Sequence, residues 1–72
     1  MLKTPANFRA AIATLFGDSA QTVLAKRMGI TPRAIRAWFD RQAIPSHAWT
    51  AINEETDNRI AELVNLKQKL KE

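Results

Sequence analysis

The chain has 72 residues, no cysteine, and 11 Lys and Arg against 7 Asp and Glu, for a net charge of +4. That length holds one domain with a small core. The lack of Cys excludes disulfides and thiolate zinc sites, so a partner subunit is the remaining help that a domain of this size often needs. Residues 1–45 carry seven basic against two acidic side chains, a net +5, and residues 46–72 carry four against five, a net −1. The expectation of a polyanionic partner therefore belongs to the first 45 residues.

The first segment, Thr4 to Phe16, reads as foldable, and no basic, apolar, cleavable leader is expected. No apolar run approaches the ~18 residues of a membrane span. A soluble, cytoplasmic protein is expected.

Apolar residues recur at helical spacing, and Gly and Pro punctuate them, so the pattern predicts an all-α fold of four to five helices. Helix 1 is expected from Pro5 to Phe16. Thr4 caps it, Pro5 fits the first turn, Phe8, Ile12, Leu15 and Phe16 share a face, and Gly17 ends it. Helix 2 is expected from Ala20 to Met28, capped by Asp18 or Ser19 and ended by Gly29. Helix 3 repeats the Thr-Pro start at Thr31-Pro32 and runs to about Arg41. Its inward face reads Ile35, Trp38, Phe39 and Gln42, and the opposite face reads Arg33, Arg36, Ala37, Asp40 and Arg41. Ile44-Pro45 interrupts, and Ser46 is placed to cap helix 4, which carries Trp49 and Ile52. Residues 53–58 are wholly polar and fit either a solvated helix face or a turn. Ile60 to Leu70 is again helical in pattern, with Ile60, Leu63, Leu66 and Leu70 in one apolar stripe.

The stretch from Gln21 to Asp40 has the requirements of a helix-turn-helix. Ala25 is small where two helices must approach, Gly29 gives the turn its backbone freedom, and Leu24, Met28, Ile30, Ile35 and Trp38 face inward. With Leu24-Ala25, Met28-Gly29-Ile30, Ile35 and Trp38 at these positions, the chain resembles the phage repressor and Cro type of helix-turn-helix. Ala43-Ile44-Pro45-Ser46 followed by Ala51-Ile52 is similar to small Cro-like prophage and plasmid regulators, in which a Pro turn leads into a fourth helix. The resemblance covers about residues 6 to 56. Beyond Thr56 the chain has Asp57-Asn58 and an amphipathic helix where relatives often have a Gly-rich turn. Residues 1–56 are thus expected to form a Cro-like DNA-binding domain, and residues 57–72 an amphipathic helix for dimerisation.

The resemblance implies that helix 3 enters the major groove of double-stranded DNA with its N-terminal residues at base edges, which by position are Thr31, Pro32, Arg33, Arg36 and Ala37. Arg is the commonest reader of guanine, Ala37 is small enough to lie against a thymine methyl, and Pro32 contributes shape alone. Gln21 matches the family position that binds phosphate at the start of helix 2, where free N–H groups favour anions. Lys26, Arg27 and Arg41 are candidate phosphate contacts, with plain surface charge as the competing reading. Asp40 is expected to pair with Arg36 rather than accept from cytosine. Trp38 and Trp49 read as core rather than as stacking platforms, and His47 as a first-turn residue of helix 4.

No catalytic constellation, metal-ligand set or phosphate loop is present in the sequence, so no enzyme activity, metal, cofactor or small-molecule ligand is expected. The expected function is sequence-specific transcriptional regulation, as a repressor acting as a homodimer through Ile60, Leu63, Leu66 and Leu70. A nucleoid or architectural DNA binder and a protein–protein adapter that kept the fold are the competing functions. The competing fate for the stripe is to fold back onto helix 1 and complete a monomeric core.

Overall fold

The computed structural model describes residues 2–71. Residues 1 and 72, the outer limits of the two expected segments, lie outside the described residues. The chain is all-α: α1 (Pro5–Phe16), a single 3₁₀ turn (Gly17–Ser19), α2 (Ala20–Met28), α3 (Pro32–Asp40) and α4 (Ser46–Leu70).

The two Thr-Pro starts work as their chemistry predicts. Thr4 Oγ1 accepts from the Asn7 amide at 3.1 Å and Thr31 Oγ1 from the Ala34 amide at 3.3 Å, both threonines being extended. The other two expected caps differ. Ser19 precedes α2 but makes no side-chain cap, because the preceding 3₁₀ turn holds it at φ −97° and ψ 28°, away from the extended conformation a capping side chain needs. Ser46 is already the first residue of α4, and the extended Pro45 stands at the N-cap.

Gly29 ends α2 in the left-handed conformation, φ 71° and ψ 30°. Around it the Ile30 amide donates to the Ala25 carbonyl at 2.9 Å and the Gly29 amide to Lys26 at 3.3 Å, which is the Schellman pattern. The end of α3 repeats the pattern without a glycine. Ala43 donates to Trp38 at 2.9 Å and Gln42 to Phe39 at 3.0 Å, with Gln42 itself at φ 51°. This corrects the expected inward face of helix 3. Gln42 lies past the helix end and is exposed, since the left-handed residue breaks the helical phase that would have buried it.

One core joins the elements. Phe8 and Ile12 of α1, Leu24 and Ala25 of α2, Ile35 of α3, and Ala48, Trp49 and Ile52 of α4 are buried, with Trp38, Phe39, Met28 and Ile30 half-buried around them. The Phe8 ring meets Trp49 edge-on at 5.1 Å and Phe39 at 6.0 Å, so one α1 side chain touches both α3 and α4. His47 stands edge-on to Trp38 at 5.8 Å, in the first turn of α4.

Residues 53–58 are helix, so the proximal and distal apolar segments belong to one 25-residue element, and the expected boundary at residue 56/57 falls inside it. Three contacts lie along or beside this stretch, which is helical despite its Asn, Thr and Asp content. Thr56 Oγ1 donates to the Ile52 carbonyl at 2.8 Å, Glu55 pairs with Arg27, and Arg59 Nη2 donates to the Leu15 carbonyl at the end of α1 at 3.1 Å. Past Arg59, α4 leaves the body, which accounts for a molecule 49 Å long and 25 by 20 Å across. Ile60, Leu63, Leu66 and Leu70 are 50–78 % exposed, so the stripe does not fold back onto α1.

Candidate nucleic-acid interface

The candidate interface is built on α3, the most strongly two-faced helix of the chain. Ile35 is fully buried, and Trp38 and Phe39 are half-buried on the same side. Burial of these three fixes the rotation of the helix, and Arg33, Arg36 and Asp40 stand exposed on the other side. Arg33 and Arg36 are three residues apart, so their side chains project from one face about one turn apart. Ala37 lies beside them, half-buried, and leaves a gap in the row of long side chains. Thr31 and Pro32 are exposed at the helix entrance, where the Thr31 hydroxyl is committed to the cap.

Asp40 does not pair with Arg36. Among the described residues the one salt bridge joins Arg27 and Glu55. Arg41 turns back on its own helix instead, its Nε donating to the Ala37 carbonyl at 3.3 Å. Arg33 and Arg36 therefore keep all their guanidinium donors free for an outside acceptor, and Arg41 keeps its terminal nitrogens.

The remaining sequence-predicted contacts fall in different places. Gln21 is half-buried in the first turn of α2, one turn before the buried Ala25. It thus lies on the same side of α2 as that residue. Lys26 is exposed on α2. Arg27 is drawn the other way, with Nη1 3.4 Å from both carboxylate oxygens of Glu55, in a groove floored by Phe16, Leu24 and Met28 that contains no α3 residue. The structure therefore brings Thr31, Pro32, Arg33, Arg36, Ala37 and Arg41 together on one element, and turns Arg27 toward α4.

Two basic residues have structural roles that sequence reasoning did not give. Arg9 of α1 lies 4.3 Å from the centroid of the Phe39 ring, covering the C-terminal half of α3. Arg59 caps the end of α1. Both contacts join residues at least 30 positions apart, and no local periodicity encodes them. Among the described residues no helix is long and apolar enough to cross a membrane. In comparisons with protein-family models, curated proteins and solved structures, nothing matches this chain.

Proposed function

We propose that this chain is a sequence-specific, double-stranded DNA-binding transcriptional regulator, a repressor of the Cro-like phage, prophage or plasmid kind, acting as a homodimer. The observation that carries the reading is the outward face of α3, where Arg33 and Arg36 stand unpaired around the small Ala37 while Ile35 anchors the helix behind them. An α-helix fits the major groove, and an arginine donates in pairs to guanine O6 and N7 there. Gln21, half-buried in the first turn of α2, offers its side-chain amide to a phosphate. The net +5 of residues 1–45 adds sequence-independent attraction to the duplex.

Selection of bound duplexes from a random pool tests the reading. The expected outcome is a two-fold symmetric site with a preferred guanine in each half. Arg33→Ala and Arg36→Ala should each weaken binding at that site by about 1–3 kcal/mol and relax one or two base positions. Equal recovery of all sequences would instead assign the protein to architectural DNA binding, and no recovery at moderate salt would remove DNA from its partners.

A further inference from the structure

The distal half of α4 is an apolar surface that the body of the protein does not cover. Ile60, Leu63, Val64 and Leu66 are 50–56 % exposed and Leu70 is 78 % exposed. The surface continues the core-facing side of the same helix. Leu63 and Leu70 lie 11 and 18 residues after the buried Ile52, close to three and five whole helical turns. The body stops at Arg59, whose guanidinium is fastened to the end of α1. That leaves the segment from Ile60 to Leu70 unobstructed, with Ile60, Leu63, Lys67 and Leu70 at the 3-4-3 spacing of a two-helix seam, and Val64 and Leu66 flanking it.

Charge decides what the seam accepts. Apart from Arg59, which is fastened to α1, the signs along α4 are segregated: Glu54, Glu55, Asp57 and Glu62 precede Lys67, Lys69 and Lys71. A second copy laid parallel would set Lys67 against its own equivalent inside the seam and bring both basic ends together, and like charges in contact repel. A second copy laid antiparallel reverses both features. Ile60 then faces the second copy's Leu70, and Leu63 faces the stem of its Lys67, whose ammonium reaches out to the rim. Lys71 comes toward Asp57 on the flank of the seam, and Glu62 and Lys69 stay on the solvated back of the helix. The free length is used completely, because the crossing point falls near residue 65, midway along the uncovered segment.

We infer that the exposed face of α4 is the interface with a second copy of this chain, which docks antiparallel with Ile60 opposite Leu70 and its charged ends in complementary contact. The arrangement is isologous, each copy offering the same patch, and it sets the two bodies at opposite ends of the helix pair, about 45 Å apart at a rise of 1.5 Å per residue. The inference rests on the homodimer proposed above, and its test does not depend on DNA.

The chain has no cysteine, so introduced thiols are the only ones that react. Ile60→Cys and Leu70→Cys both change exposed positions and leave the core intact. The two variants, one carrying a mass tag, are mixed, allowed to exchange, oxidised with a copper catalyst and separated without reductant. The expected result is a cross-linked pair of mixed mass, with little product from either variant alone. Efficient cross-linking of Leu70→Cys or Ile60→Cys by itself overturns the antiparallel arrangement. A mixture without cross-link, or a wild type that sediments as a monomer at millimolar concentration, overturns the interface. A duplex-binding assay on the same samples separates the outcomes: DNA binding by a monomer leaves the recognition helix standing without this interface, and an antiparallel dimer that ignores DNA leaves the interface standing without that function.

Discussion

Replacing Phe8 by alanine should remove much of the stability of this fold. The side chain is fully buried, and its ring is the contact that α1 makes with both Trp49 of α4 and Phe39 of α3. Truncating a buried Phe to Ala costs about 3–5 kcal/mol, combining lost transfer energy with the cavity left behind. At roughly 0.05–0.15 kcal/mol per residue, a chain of this length has about 4–11 kcal/mol in total, so the variant should lose at least about a quarter of it. Phe8→Leu separates the two contributions. It keeps most of the apolar burial and loses two aromatic pairs of about 0.5–1.5 kcal/mol each, for a cost of about 1–3 kcal/mol. Urea denaturation followed by tryptophan fluorescence reads both, since Trp49 is in direct contact with the ring. The curves are taken at two protein concentrations because the midpoint of a dimer depends on concentration. With a slope near 1 kcal/mol per molar urea, the alanine variant should shift the midpoint down by about 3 M or fail to fold. A loss below about 1 kcal/mol would falsify the placement of Phe8 at the centre of the core.

Salt dependence should distinguish the basic residues of α2: Lys26→Ala should reduce the slope of log affinity against log salt by about one unit if Lys26 meets a phosphate, whereas Arg27→Ala should leave the slope unchanged, because Arg27 is turned to Glu55. The same Arg27→Ala change should lower stability by about 1–3 kcal/mol, because Arg27 is 58 % exposed but Glu55, only 14 % exposed, would be left largely buried without its partner; no loss in thermal unfolding would contradict the burial of that carboxylate. Gln42→Gly should raise the denaturation midpoint by the equivalent of about 1 kcal/mol, because a side chain at φ 51° is strained where glycine is not. A destabilised Gln42→Gly would mean that the residue makes contacts worth more than the strain.

The bounds of the first helices were legible because their signals are local. Thr4-Pro5 and Thr31-Pro32 start two helices, Gly17 and Gly29 end two, and the bounds of α1 and α2 fall where those residues place them. The two faces of α3 were legible for the same reason, since Ile35, Trp38 and Phe39 mark the buried side within a single turn. Gln42 was not, because a glutamine is no sign of a left-handed helix end and the capping bonds that hold it there are made by the backbone. The continuity of α4 was hidden by Asn53, Thr56, Asp57 and Asn58, which are poor helix formers lying beside contacts from α1 and α2. The pairing of Arg27 with Glu55 spans 28 residues and became visible only once α2 and α4 were side by side.

The unbroken run of α4 also governs when the distal surface exists at all. A free peptide of the 11 residues from Ile60 to Leu70 is below the length at which isolated helices persist in water, since nucleating the first turn is unfavourable. In the intact chain that nucleus is supplied by the proximal turns, which are clamped by Ala48, Trp49 and Ile52 in the core, and no Gly or Pro interrupts propagation from there to Leu70. The apolar stripe is therefore a display that depends on a finished body. A nascent or unfolded chain carries the same leucines without the geometry that aligns them, so the self-recognition proposed above would be reserved for molecules that have already folded.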